Sequence, residues 1–456
     1  MRYILSMRKK GNTILFFILV LAFLIGGPFL IIYSQGYRFD IEKLMFLETG
    51  GIYVKAYPND VSISIDDKYE NKTAAFSRDL LIQNLLPENH DVKVEKDGFI
   101  KWEKNLTVEK KKVAEAKYII LFPEEIPFTT SIEGVFKFFK FPNDNRLLLI
   151  KEKGLTIFNQ DNNEETTILN EKQMINNIKD VVFSKTGKKL IIINEKGSHY
   201  LVNTDSKVVS PSLIKNFNLK TKNIAFDPNN DNLVFFELNN QIYKMNIDKR
   251  TTPQLFKKDK VESSALYGEI MYTLEKGDLI KSGILLGTSD KLTKTPFETS
   301  VGNSYEIIQM EGQIFIIENK KIAYMLKDGL FEKILESRED LKYSPFYDKI
   351  LFVSNNEIRL LLLKDTDSPF FKKAGDLVFI SRLSNKIDDI KWLNGEYFVF
   401  SSNNKAYISE IDNRDRINSF EIPNVNASQI LFNGNSRKLI ILNNNSLSIS
   451  EQKIVP

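Results

Sequence analysis

Three patterns of hydrophobic and polar positions divide this 456-residue chain. In the first there is no alternation. No charged side chain occurs from Gly11 to Tyr37, and Ile14 to Ile32 is a run of 19 almost wholly apolar residues. A helix rises 1.5 Å per residue, so the run spans roughly 29 Å, close to the hydrocarbon thickness of a bilayer. Arg2, Arg8, Lys9 and Lys10 precede it with no acid among them. The positive-inside rule then keeps the N-terminus in the cytoplasm and sends the bulk of the chain outside. Tyr33 and Tyr37 stand where interfacial aromatics belong. The run exceeds a signal-peptide core and no small-x-small site follows it. A retained single-pass anchor is the expectation, and a cleaved signal peptide the alternative.

The second pattern has period two. Val61, Ile63 and Ile65 alternate with Ser62 and Ser64, and Val92 and Val94 with Lys93 and Glu95, as in half-buried strands. Asp97-Gly98 supplies a tight turn, Phe99 to Val108 returns, and Val113 to Phe122 forms a last strand before Pro123. Residues 50–123 therefore predict a small β-sandwich.

The third pattern repeats. Short apolar runs begin at Leu147, Leu190, Leu233, Ile270, Ile314, Ile350, Tyr397 and Leu439, spaced 36 to 47 residues apart. That is the repeat length of β-propeller blades. Each run is followed by a two-residue turn rich in Gly, Asn or Lys, such as Lys153-Gly154 and Asn403-Asn404, residues suited to tight hairpins. The final unit holds three strands, and the segment from Phe128 to Ile132 is expected to supply the fourth and close the ring, removing exposed edges. The fold class is all-β: an N-terminal transmembrane helix, a small sandwich, then a β-propeller of eight blades, or seven if the weak unit near Ile270 is discounted. The divisions are 1–13 cytoplasmic tail, 14–33 span, 34–49 juxtamembrane linker, 50–123 sandwich and 126–456 propeller. No 10–15-residue amphipathic helices separate the strands, which excludes a doubly wound α/β fold.

Two resemblances attach to these segments. Gly51-Ile52-Tyr53-Val54 through Ala56-Tyr57-Pro58-Asn59-Asp60-Val61, and Leu85-Leu86-Pro87-Glu88-Asn89-His90 followed by Asp97-Gly98-Phe99 and Trp102, resemble a PEGA domain. Asn89 and His90 stand where that family carries Gly and Ala. The resemblance implies an envelope location. Tyr33 to Asp40 is similar to the junction in membrane-anchored bacterial proteins of this type. Phe183-Ser-Lys-Thr-Gly-Lys-Lys-Leu190 resembles the signature of TolB-like and WD-repeat propellers, with Ala225-Phe-Asp-Pro228 a partial second match. The Trp-Asp dipeptide that ends WD-repeat blades does not occur.

Composition narrows the chemistry. The chain has no Cys and only His90 and His199, which removes disulfides, thiol nucleophiles and multi-His metal sites. A net charge of +4 from 63 basic and 59 acidic residues is no nucleic-acid signature. No cofactor motif and no catalytic triad are found. His90 reads as a solvated turn residue and His199 as a strand residue. Asp388-Asp389, Glu410 with Asp412, and Asp412 with Asp415 are the available carboxylate pairs. Asp227-Pro-Asn-Asn-Asp231 loosely follows a calcium loop without its terminal Glu. Lys110-Lys111-Lys112 reads as a solvated turn. Trp102 and Trp392 read first as packed aromatics, with stacking on a sugar or peptide as the alternative. The expected function is non-catalytic binding or scaffolding outside the membrane, toward a protein or a cell-wall or surface glycan. The alternative is an extracytoplasmic hydrolase or lyase at a channel mouth.

Overall fold

The computed structural model describes all residues except 1, 35, 41–44, 74–77, 143, 174, 206–210, 286 and 367–371. Parts of the expected linker at 34–49 and Asn143 of the turn before the first apolar run thus lie outside the described residues. A single helix, Arg2–Ser34, opens the chain. Its stretch Leu15–Ser34 is long and apolar enough to cross a membrane, and none of it is buried against protein. Leu15, Phe16, Phe17, Ile18 and Leu19 are all exposed. Five successive residues sweep more than a full turn, so no face of this helix is covered by the fold.

Two sheets follow. Gly50–Tyr57 lies between Asp79–Leu85, antiparallel to it, and Val113–Ile120, parallel to it. Ser62–Ile65 lies between Tyr69–Lys72 and Asn89–Glu95, and Trp102–Thr107 closes that sheet. The alternating residues Ile52, Val54, Ile63, Ile65, Val92, Val94 and Leu106 meet in one core between the sheets. His90 departs from expectation. It is 4% exposed on the strand Asn89–Glu95 rather than solvated in a turn. Its Nδ1 lies 2.7 Å from Asp66 Oδ2 and its Nε2 2.9 Å from the Leu86 carbonyl. Burial opposes the charged ring, but the bonds to Leu86 and Asp66 prevail and raise its pKa. Asp66 is drawn below its ordinary value, since the His90 and Asp91 bonds outweigh its own burial.

From Phe128 to Ser450 the described residues form eight four-stranded antiparallel sheets, a β-propeller. Seven are simple meanders: residues 135–170, 178–213, 222–257, 263–291, 305–336, 341–382 and 387–426. The eighth takes three strands from 429–450 and its fourth from Phe128–Glu133, which pairs antiparallel with Ser446–Ser450 and closes the ring. Every apolar run is the second strand of a sheet. Leu147, Leu148 and Leu149, like Leu190, Ile191 and Ile192, are fully buried, because both faces of each sheet pack on neighbouring sheets. First strands of neighbouring sheets touch, as Ser263–Tyr267 touches Tyr305–Met310, so the first strands are innermost. Gly154 turns the second strand of the first sheet into the third. Its φ is +143°, and a Cβ there would stand 1.9 Å from the Leu169 carbonyl oxygen, so only glycine fits.

A meander places its connections at alternate ends. Turns from first to second and third to fourth strand share one face of the ring. Turns from second to third strand, and the links between sheets, share the opposite face.

Candidate functional site

The sandwich docks on the first of these faces, at the seventh sheet. Trp102 and Lys104 project from its edge strand Trp102–Thr107. The Trp102 indole N–H donates to Glu410 Oε2 at 2.9 Å. Lys104 is fully buried; its Nζ lies 2.7 Å from Glu410 Oε1 and donates to the Asp412 carbonyl at 2.6 Å. Asn418 gives Glu410 two further hydrogen bonds, at 2.9 and 2.8 Å. The Asn105 N–H donates to Asp415 Oδ2 at 3.0 Å, and the Ile120 N–H to the Tyr397 hydroxyl at 3.1 Å. Arg414 holds Asp412 at 2.8 Å. Tyr397 is buried here, which pushes its hydroxyl pKa well up, aided by the charge of Glu410. Ile120, Phe122 and Ile126 join a core with Val399, Ile408, Ile430 and Ile441 of the seventh and eighth sheets. The carboxylates Glu410, Asp412 and Asp415, candidates for acid–base work in the sequence, are therefore engaged in holding the sandwich to the ring.

The two tryptophans offered for ligand stacking are both interior. Trp102 is 3% exposed at this junction. Trp392 is 7% exposed, donates to the Ser344 carbonyl at 2.8 Å and packs on Phe346 and Phe398 between the sixth and seventh sheets. Neither ring presents a free face. His199 is buried edge-on to Phe217, and burial lowers its pKa. Asp227 is buried; it accepts from the Asn229 N–H at 3.0 Å and lies 3.5 Å from Lys244 Nζ. Lys110 and Lys111 pair with Glu48 at 3.2 and 3.3 Å, and Lys112 with Glu109 at 2.5 Å.

Polar residues near the starts of the first strands form rungs between neighbouring sheets. Lys137 Nζ donates to the Lys179 carbonyl at 3.0 Å. The Tyr343 hydroxyl donates to Glu306 at 2.9 Å, and from the far end of its strand the Tyr267 hydroxyl donates to the Ile307 carbonyl at 3.1 Å. Lys342 donates to the Ile387 carbonyl at 3.1 Å, and Asp389 accepts from the Ile430 N–H at 3.1 Å. Gln429 donates to the Phe138 carbonyl at 2.8 Å and accepts from its N–H at 3.2 Å. In several sheets a register shift falls at this point, between Val135 and Lys137, Ile178 and Asp180, and Ile387 and Asp389. Such bulges re-aim side chains. Burial pushes Tyr343 upward, with the charge of Glu306 adding to it.

On the face opposite the sandwich contacts, a cavity of about 530 Å3 opens at the third, fourth and fifth sheets. Residues 292–304, the longest link between sheets, form one wall. That link is pinned at several points. Phe297 packs on Tyr305, Tyr324 and Phe331, and its N–H donates to the Gly277 carbonyl at 2.8 Å. The Ser300 N–H donates to the Tyr305 hydroxyl at 2.7 Å, and Asn303 to Glu318 at 2.6 Å. Val301 at its tip is fully exposed beside the opening. Lys222, Asn223, Glu237, Glu262 and Lys320 contribute to the polar lining. Glu237 is 3% exposed and accepts from Asn223 at 2.9 Å and Ser264 at 3.3 Å. Burial raises its pKa despite these bonds, so this carboxyl holds its proton more readily than an ordinary one. The sequence carried no sign of this site, since the fourth and fifth apolar runs begin 44 residues apart, within the range of the other units.

No protein-family model matches this chain, and no curated protein matches it. Solved structures match at the level of fold. The C-terminal WD40 domain of Sif2 is 11% identical, covering 73% of this chain and 99% of that one, with a TM-score of 0.45. BamB from Moraxella catarrhalis is 8% identical, covering 71% and 96%, with a TM-score of 0.43. PorZ of Porphyromonas gingivalis, a surface component of its type-IX secretion system, is 11% identical over 69% of this chain and 42% of that one, with a TM-score of 0.38.

Proposed function

We propose that this is a single-pass envelope protein that holds a non-catalytic binding propeller outside the membrane. In this reading residues 1–13 are cytoplasmic, 14–33 cross the bilayer, 34–49 leave it, and the PEGA-like sandwich at 50–123 is a spacer for the propeller at 126–456. The observation that carries the reading is the placement of the cavity beside Val301. It opens on the face away from the junction with the sandwich, where an extracytoplasmic partner has access. Its partner is a protein or a wall or surface glycan. The polar lining with one exposed apolar residue suits either, since recognition sites combine a few placed polar groups with apolar contact. Tethering confines the site to the surface and raises its effective concentration there.

The test compares full-length protein with Val301→Asp and with Asn223→Ala, each reconstituted in nanodiscs and exposed to intact envelope extracts. Capture of one partner by the parent and its loss in both variants supports the reading; equal capture by all three refutes the cavity as the site. A second reading, an extracytoplasmic hydrolase or lyase acting at this mouth, draws on the buried carboxyl of Glu237 and its raised pKa. Turnover of a glycan or peptide library that is abolished by Glu237→Gln would establish it in place of binding alone.

A further inference from the structure

Between the apolar helix and the sandwich lies a two-stranded ribbon, Tyr37–Asp40 paired with Met45–Glu48, that joins no other sheet among the described residues. Two strands alone are marginal in water and need a surface to pack on. Among the described residues only the base of this ribbon has one. Gly36 accepts from the Thr49 N–H at 2.8 Å, and Lys111 Nζ donates to the Tyr37 hydroxyl at 2.8 Å and lies 4.4 Å from the centre of its ring. Lys110 and Lys111 pair with Glu48. Beyond the base, Phe39 and Phe46 face each other across the strands, ring centres 5.1 Å apart, and remain 37% and 41% exposed. Met45 is 49% exposed.

The helix ends at Ser34 and the ribbon begins at Tyr37. Three residues reach at most about 10 Å. The headgroup layer of one leaflet is roughly 5–8 Å deep. A ribbon starting there lies at the interface, where aromatic and apolar side chains are favoured. We propose that the ribbon rests in the lipid interface of the leaflet from which the chain emerges, with Phe39, Phe46 and Met45 inserted among the headgroups. It thereby sets the angle at which the sandwich and ring stand over the bilayer. This rests on the reading of the helix as a retained span.

The test uses full-length protein in phosphatidylcholine vesicles, with Phe46→Trp as reporter. Trp102 and Trp392 are buried, so the added emission is read by difference from the parent. Lipids brominated near the headgroup should quench most of that added emission and leave the parent unchanged. A Phe39→Ser, Phe46→Ser double variant should still float with vesicles, while amide exchange in Tyr37–Asp40 rises about tenfold or more. Protein that floats with an unquenched reporter overturns the interface proposal and leaves the anchor standing. Protein that does not float overturns the anchor itself. An unquenched reporter shielded from iodide only at high protein density would show a second copy in place of lipid, and overturn the proposal.

Discussion

Lys104 offers the sharpest test of how the sandwich is held. The side chain is 0% exposed, with Glu410 at 2.7 Å and the Asp412 carbonyl at 2.6 Å. Methionine keeps most of its length and an apolar stem but removes the charge and the donors. Removing one partner of a buried ion pair costs about 3–5 kcal/mol, because the other charge is left without compensation. Glu410 retains the Trp102 N–H and two Asn418 donors. The loss should therefore fall at the low end, about 3 kcal/mol. At about 1.4 kcal/mol per decade this is roughly a 150-fold shift toward the undocked state. Amide exchange of the full-length protein in nanodiscs reads that shift at two reporters. The N–H groups of Asn105 and Ile120 cross the junction to Asp415 and Tyr397. Both should exchange about a hundredfold faster in Lys104→Met, while amides within the second strands of the ring stay unchanged. Adding Glu410→Gln should restore part of the protection by removing the stranded charge. Lys101→Met, which breaks an exposed pair with Glu103, should change exchange less than about fivefold. Unaltered protection at Asn105 and Ile120 in Lys104→Met would refute the clamp.

Further expectations follow from single sites. Stability from His90 is complete below its unfolded value near 6.5 and is lost as pH rises through its raised folded value; stability from Asp66 is complete above 3.8 and is lost as pH falls through its lowered folded value. Protection of the Asp91 amide, which donates to Asp66 at 2.9 Å, should thus be greatest, relative to its intrinsic exchange rate, between about pH 4 and 6.5, and His90→Gln should remove the upper limb of that protection. Gly154→Ala forces a Cβ onto the Leu169 carbonyl and should cost about 1–3 kcal/mol, seen as a lower melting temperature and faster proteolysis in the first sheet. Ile132→Asp buries a charge in the closing strand and should release Ser446–Ser450 to exchange while the third to fifth sheets remain protected. Both tryptophans should emit at short wavelength and resist iodide, and added glycan should leave that emission unmoved.

The ring was legible because its signal is redundant. Each second strand is apolar on both faces, and eight such strands at similar spacing leave few alternatives. The closing strand was legible as the missing member of the last unit. His90 illustrates a signal present but unread: it is in phase with Val92 and Val94, so the period of two already put it inside. The run from Pro87 to His90 also fits a turn, a pattern that competes with the alternation. The polar starts of the first strands were hidden for another reason. Lys137, Lys342 and Gln429 look like ordinary solvated residues unless the innermost position of their strands is known. The junction was beyond reach, because Lys104 and Glu410 are separated by more than 300 positions and neither neighbourhood encodes the other.

The same division of labour explains why one sector of the ring differs from the rest. The second strands supply the packing, so links between sheets can change length without loss of the core. Seven of the eight such links run for 1 to 8 residues, while that from the fourth to the fifth sheet takes in residues 292–304. A free loop of that length would be mobile. Here Phe297 occupies an aromatic pocket of Tyr305, Tyr324 and Phe331, and Ser300 and Asn303 tie the remainder down. Val301 at the tip projects, fully exposed. Ordering a long link while leaving its tip free is costly for a merely structural connection, and it is what a preorganised recognition surface requires. Phe297→Ala separates the two: a structural link would lose local stability alone, whereas a recognition loop would also lose partner capture at a temperature where the ring remains fully folded by amide exchange. Undiminished capture with a mobile 292–304 segment would remove the loop from the binding site.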